Sequence, residues 1–187
     1  MKLPKIAAAA ALLFSLVAAP VQAQAQQSCA AHYLIAVPGG GNTAEGIPDY
    51  VPHGGNVFMT GMLTRLGTGG EIQPLWVSYT STPFATSEYE KSKAGGLKRA
   101  RSTVKRLANA CPNAKFSFTG YSLGADIAAT ITSDIAAGRG PIEPERVSGV
   151  ALFANPHQGG NGAVLSAGTS PHSRGSLGSL PDGYGVL

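Results

Sequence analysis

The chain has 187 residues, of which 43% are hydrophobic and only 13% charged, so it is long and apolar enough to form one domain with a substantial core. Its formal net charge is +4, and two of the lysines lie at the extreme N-terminus. Without those two lysines, 12 basic residues stand against 10 acidic ones, and a balance of +2 favours neither nucleic acid nor an anionic membrane surface as a partner.

The N-terminus has the order of a secretory signal peptide. Two early lysines precede the apolar run Ile6–Ala19, and small residues follow at Ala23 and Ala25. A membrane anchor is the weaker interpretation, since a span needs about 20 apolar residues and no cleavage site. We expect a signal peptide over 1–25, with cleavage after Ala23 as the alternative. The secreted domain would be 26–187, with 12 basic and 10 acidic residues.

The chain has two cysteines, Cys29 and Cys111. An even pair in an exported protein favours a disulfide over a metal site, and two separate buried thiols are the less favoured alternative. The bridge would close a loop of roughly 80 residues, for which chain entropy allows a stabilisation of about 4 kcal/mol at most.

Apolar runs with strand character alternate with segments of helical spacing, which predicts parallel strands covered by helices in an α/β sandwich. The predicted strands are His32–Val37, Ile72–Tyr79, Lys115–Thr119 and Val147–Phe153. The predicted helices are Val57–Leu66, Leu97–Cys111 and a segment from Ser122 to about Ala137.

The last part of the chain, Asn155–Leu187, is rich in Gly, Ser and Pro and lacks a helical stripe, which is typical of loop or of a flexible end. Its final residues, Tyr184–Leu187, have the character of the beginning of another strand. Because natural termini are usually polar, we expect the domain to be incomplete at this end.

The strongest chemical signal is Gly120-Tyr121-Ser122-Leu123-Gly124, between a predicted strand and a predicted helix. In that context Gly-x-Ser-x-Gly indicates a nucleophile elbow, where a serine hydroxyl stands at a helix N-terminus. The N–H of Leu123 would be one oxyanion donor. The alternative is a helix cap flanked by glycines, because Ser is a favoured N-cap residue.

A second glycine-rich segment, Gly39-Gly40-Gly41, follows the first predicted strand. Parallel strands end at one edge of the sheet, so this loop should lie beside Ser122 and offer backbone N–H groups to an oxyanion. It lacks the Gly-Lys-Ser/Thr ending of a P-loop, which disfavours nucleotide binding. A plain tight turn remains the alternative.

The residues around this motif resemble the cutinase family, and more narrowly the cutinase-like esterases of mycolic-acid-containing actinobacteria. The resemblance rests on four groups of residues: 110–116 running into 120–126, the Ala36-Val37-Pro38-Gly39 segment, Tyr89 with Ser92 and Gly95, and Val150-Ala151-Leu152-Phe153 with Pro156. It implies a three-layer α/β-hydrolase sandwich with a central parallel sheet, a disulfide matching Cys29–Cys111, and hydrolysis of acyl esters.

The sequence departs from the family pattern in three places. The family commonly has Gln where Leu123 stands, which should matter little because only the backbone N–H is needed. It usually has a hydroxyl residue where Gly40 stands, which leaves the Gly40 backbone N–H as donor and Thr43 as a substitute. The resemblance also places the catalytic Asp and His after a further strand, beyond Leu187, so we expect neither of them in this chain.

Residues within the chain are weaker triad candidates. Asp126 lies one helical turn after Ser122 and should not orient a histidine over the hydroxyl, and Asp182 has no histidine after it. His157 follows the last predicted strand and is the best surviving base candidate. The remaining histidines fit ordinary polar or loop positions, namely His32, His53 and His172.

The leading hypothesis is a secreted serine carboxylesterase that acts on esters or lipids, forms an acyl-enzyme on Ser122 and works as a monomer. We expect no cofactor, metal, nucleic-acid partner or membrane anchor. Thioesterase or acyltransferase activity would use the same residues. The hypothesis from another class is a non-catalytic module that keeps the fold and binds lipid or cell-envelope material.

Overall fold

The computed structural model describes residues 29–54, 72–82, 86–158 and 174–177. Several predictions fall outside these ranges: the signal peptide, the helix over Val57–Leu66, His172, Asp182 and the segment Tyr184–Leu187.

A four-stranded parallel sheet forms the centre of the described structure. Its strands are β1 (His32–Val37), β2 (Ile72–Trp76), β3 (Lys115–Tyr121) and β4 (Val147–Phe153), in the spatial order β2-β1-β3-β4. Parallel neighbours bring the carboxyl ends of all four strands to one edge of the sheet. The parallel α/β architecture predicted from the sequence is confirmed.

Two long helices, α1 (Thr86–Ala110) and α2 (Leu123–Ala136), pack against each other and against the sheet. The apolar side chains that point to them from alternate strand positions form one buried cluster, which includes Tyr33, Ile35 and Phe118. Burial of this face, at about 25 cal/mol per Å² of apolar surface, is the main stabilising contribution.

The predicted start of α1 at Leu97 was wrong by eleven residues. Gly95 and Gly96 interrupt the apolar stripe, and glycine is a poor helix former. The helix nevertheless runs through both glycines. At Gly96, α2 and Tyr79 leave no room for a side chain, so glycine is required there by packing. A Cβ on Gly96 would lie 2.5 Å from Ile127 Cδ1, so tertiary packing overrides local propensity here.

Two strand ends also differ from the prediction. β2 ends at Trp76 rather than Tyr79, since its ladder with β1 closes with the Val77 N–H donating to the Ala36 carbonyl at 2.9 Å. β3 continues to Tyr121 because β4 pairs with it to the end, Tyr121 lying opposite Phe153. The residue after β3 is therefore Ser122.

A disulfide joins Cys29 to Cys111, with their Cα atoms 5.6 Å apart, as the sequence predicts. It ties the chain before β1 to the end of α1. Arg146, just before β4, strengthens the same corner by donating to the carbonyls of Cys111 and Ala114. Within the described ranges, no helix combines the length and apolarity needed to cross a bilayer.

Candidate active site

Ser122 occupies a strained turn between β3 and α2. Its backbone torsions are φ 53° and ψ −120°, in a region that residues with a side chain rarely adopt. The surrounding backbone holds it there: its N–H donates to the Phe153 carbonyl at 2.9 Å, and its carbonyl accepts from Ala125 and Asp126. This is the geometry that the Gly-x-Ser-x-Gly motif predicts.

Glycines on both sides of Ser122 are required by close backbone contacts. A Cβ on Gly120 would lie 2.2 Å from the Gly124 carbonyl oxygen, and one on Gly124 would lie 2.1 Å from the Val37 carbonyl oxygen. Neither position can accept a side chain without a shift of backbone. The elbow is thus clamped between the start of α2 and the end of β1.

The glycine loop lies beside the serine, as the strand order predicts. A Cβ on Gly39 would be 2.9 Å from the Tyr121 carbonyl oxygen and 3.6 Å from Ser122 Cβ. The buried Tyr79 hydroxyl donates to the Pro38 carbonyl at 2.6 Å and fixes the beginning of the loop. Burial raises the pKa of Tyr79, so this hydroxyl remains a donor.

Two backbone N–H groups of this edge suit an oxyanion. Leu123 is the first residue of α2, and its N–H has no intrahelical acceptor. Gly41 donates its N–H to the Ser81 carbonyl at 2.7 Å and Asn42 donates to the Gly39 carbonyl, which leaves Gly40 between two fixed neighbours. No hydrogen bond among the described residues uses the Gly40 N–H.

The Thr43 hydroxyl is engaged elsewhere. Its Oγ1 lies 2.8 Å from His53 Nε2, while His53 Nδ1 lies 2.8 Å from the Val51 carbonyl oxygen. A carbonyl only accepts, so Nδ1 is the donor, and in the neutral ring Nε2 then accepts the Thr43 proton. This arrangement disfavours Thr43 as the substitute oxyanion donor.

Asp126 is fully buried, with 0% of its side chain exposed, and has partners on two other elements. The Tyr89 hydroxyl donates to Oδ2 at 2.9 Å, and the Lys93 ammonium lies 2.9 Å from Oδ1, off the angle of a good hydrogen bond. His157 Nε2 lies 3.5 Å from Oδ2. Burial, then the charge of Asp126, raises the pKa of Tyr89.

His157 therefore lies in the turn after β4 with its ring directed at Asp126. The sequence suggested His157 as a base and set Asp126 aside, and nothing indicated that the two would meet. The missed signal was the pair Tyr89 and Lys93, four residues apart and hence on one helical face. It was hidden because the helix was expected to begin only at Leu97.

The turn after β4 contains a second strained residue. Ala154 has φ 50°, and the side chain of the buried Asn155 accepts from the His157 N–H at 3.1 Å. Since Tyr121 pairs with Phe153, the strained residues Ser122 and Ala154 follow neighbouring strand ends. Within the part of the chain that the structure describes, no cluster of three or more His, Cys, Asp or Glu side chains is placed to hold a metal ion.

Comparisons with known proteins show what this chain is similar to. The Cutinase family matches residues 24–176. Carboxylesterase Culp1 of Mycobacterium tuberculosis is 28% identical over 132 residues, which cover 71% of this chain and 55% of the relative. The chain thus spans about half the length of the curated relatives it matches.

Two solved structures share the fold. A cutinase-like protein from Cryptococcus sp. is 21% identical with a TM-score of 0.58, covering 84% of this chain and 73% of the other. The catalytic core domain of acetyl xylan esterase from Trichoderma reesei is 17% identical with a TM-score of 0.54, covering 70% of this chain and 66% of the other.

Proposed function

Because this chain belongs to the cutinase family, we propose that it is a secreted serine carboxylesterase that forms an acyl-enzyme on Ser122. The observation that carries the proposal is the strained backbone of Ser122, clamped by glycines that cannot accept a side chain. A turn that only caps a helix gains nothing from this strain, which costs of order 1–3 kcal/mol.

The reaction would proceed in two steps. Ser122 Oγ attacks the ester carbonyl carbon and passes its proton to a general base, and the alcohol leaves with that proton as the ester C–O bond breaks. Water then attacks the acyl-enzyme, releasing the carboxylic acid and regenerating the serine hydroxyl. In this proposal the general base is the histidine that the family resemblance places after a further strand.

The N–H groups of Leu123 and Gly40 would hold the developing oxyanion, aided by the N-terminal end of the α2 dipole. Since Gly40 supplies no hydroxyl, one donor of the family pattern is absent. Loss of one such donor costs on the order of 10²–10³ in rate, so we expect modest turnover.

Secretion and the domain boundaries belong to the same proposal. The Cys29–Cys111 disulfide supports an oxidising compartment, and the signal-peptide pattern over 1–25 supports export of a domain beginning near residue 26. The proposed substrate class is acyl esters, which the name of the curated relative, a carboxylesterase, supports.

Hydrolysis of short p-nitrophenyl esters by the complete protein, which in this proposal includes the general base, tests the proposal. Ser122→Ala should abolish turnover while retaining the thermal transition of the wild type. Ser133→Ala is the matched control, because Ser133 is a buried serine of α2, the helix that follows Ser122, and its hydroxyl has no hydrogen-bond partner in the described structure. Turnover retained by Ser122→Ala would contradict the assignment, and a folded but inactive wild type would favour the binding module.

A further inference from the structure

The buried carboxylate of Asp126 has no part in the proposed ester chemistry, yet it lies one helical turn from the nucleophile. An ionised carboxylate with 0% exposure costs several kcal/mol to desolvate unless it is paired and hydrogen-bonded. The interactions that Asp126 makes in the folded protein must therefore offset this desolvation cost.

The partners of Asp126 join three separate parts of the fold. Tyr89 and Lys93 come from α1, Asp126 from α2, and His157 from the turn after β4. The side chains of Lys93 and His157 are 19% and 18% exposed, so both contacts are shielded from water. Attraction in such surroundings is stronger than at a surface.

The contacts of the Asp126 carboxylate differ in strength. The Lys93 ammonium lies 2.9 Å from Oδ1 of the Asp126 carboxylate, and the His157 ring faces the same carboxylate with Nε2 toward Oδ2. The 3.5 Å separation is long for a hydrogen bond, which makes this contact weaker than the one from the Tyr89 hydroxyl at 2.9 Å.

The turn that carries His157 is coupled directly to Ser122. The Phe153 carbonyl, at the end of β4, accepts the Ser122 N–H. The Gln158 N–H donates to the Asn155 carbonyl, and the N–H groups of Gly175 and Leu177 donate to the carbonyls of Gln158 and Pro156. A shift of this turn would therefore move the strand end that holds the serine backbone.

We propose that Asp126 is a positioning residue that acts through His157, holding the turn over residues 154–158 against α2 and so fixing Ser122 relative to β4. The kinetic part of this inference rests on the proposed esterase function. A displacement of about 1 Å at the reacting atoms can lower the rate on the order of 10²-fold. Because Asp126 is fully buried, a substrate should not reach it, and substrate affinity should change little.

Two matched double variants of the complete protein test whether Asp126 has this positioning role. Lys93→Met with Asp126→Leu replaces the ion pair near Ser122 by apolar residues of similar size, which often leaves stability unchanged. Arg101→Met with Asp134→Leu makes the same change at the other end of α2, where Arg101 pairs with Asp134. Neither Arg101 nor Asp134 contacts the proposed site.

The two double variants are expected to differ in kcat and in amide hydrogen exchange. The Lys93/Asp126 variant should lose kcat for p-nitrophenyl esters about 10- to 100-fold with KM within about twofold, and hydrogen exchange at the amides of Ser122, His157 and Gln158 should rise at least about tenfold. The Arg101/Asp134 variant should leave both kcat and these exchange rates near the wild type.

His157→Phe should reproduce the kcat loss, and adding it to the Lys93/Asp126 variant should lower kcat no further.

Other outcomes separate this inference from the proposed function. A Lys93/Asp126 variant with kcat and exchange rates of the wild type would overturn the inference, as would an additive effect of His157→Phe. If the wild type shows no esterase activity, the proposed function fails. The exchange rates of the same variants then decide whether Asp126 holds the turn.

Discussion

The two ends of α2 carry the same interaction in different surroundings. At the nucleophile end, Asp126 pairs with Lys93 of α1 and is fully buried. At the far end, Asp134 pairs with Arg101 of α1 and also with Arg139 at 3.0 Å, and 12% of its side chain is exposed. One carboxylate thus has a single shielded cation, and the other has two cations near solvent.

The helix dipole explains part of this difference. Asp126 lies in the first turn of α2, where the dipole favours negative charge, so one ammonium suffices. Asp134 lies in the last turn, where the dipole disfavours negative charge, and two guanidinium groups compensate. The far pair joins α2 to α1, whereas the near pair also reaches the turn after β4 through His157.

Removal of one cation from each pair should give the largest difference in stability between the two ends of α2. Lys93→Met leaves Asp126 without its counter-charge in the core, and such a loss costs about 3–5 kcal/mol of the free energy of unfolding. Arg101→Met should cost only about 1 kcal/mol, because Arg139 remains with a partly exposed Asp134. Urea denaturation at neutral pH measures both, and equal losses would contradict the contrast between the two ends.

Two glycines at opposite ends of α2, Gly124 in its first turn and Gly138 just beyond its C-terminal end, offer a second contrast. Gly124→Ala should cost about 3 kcal/mol, since the new Cβ would meet the carbonyl oxygens of Val37 and Pro38 at 2.1 and 2.5 Å. Gly138→Ala should cost about 1 kcal/mol, because φ is +72° there but nothing lies within 4 Å. Chemical denaturation of both variants gives the comparison. A Gly138→Ala variant that is the less stable of the two would show that the elbow tolerates a side chain.

The smallest predicted effect is a pH dependence away from α2. Burial lowers the pKa of His32 below its usual value of 6.5, so the unfolded chain takes up this proton more readily than the folded one. Stability should therefore fall as the pH drops through 6.5 toward the lower folded pKa, and should be fully present above 6.5. His32→Gln should reduce the loss of urea midpoint between pH 7.5 and pH 5.0. An unchanged loss would exclude His32 as its source.

The sequence predicted the fold well where local signals agree. The strands β1 and β4 have the predicted bounds, because their apolar runs end at clear turn signals. The start of α1 could not be predicted, because two consecutive glycines disfavour a helix locally, whereas Gly96 is required by its tertiary contact with α2 and Tyr79.

The candidate site was likewise predictable from the sequence only in part. The elbow was predictable because its determinants lie within five consecutive residues between a strand and a helix, and the disulfide because the chain has only two cysteines. The Asp126 cluster was not predictable, since Tyr89, Lys93 and His157 come from segments up to 68 positions apart that only the folded sheet brings together. Beyond the helical spacing of Tyr89 and Lys93, the sequence pattern does not indicate which of these residues meet.

Labelling of the complete protein, including its general base, with a fluorophosphonate tests the central claim, that Ser122 is an activated nucleophile, most directly. Intact-protein mass spectrometry should show one added phosphonyl group on the wild type, peptide mapping should place it on Ser122, and Ser122→Ala should remain unlabelled. A folded wild type that takes up no label, or a label on another residue, would contradict the claim.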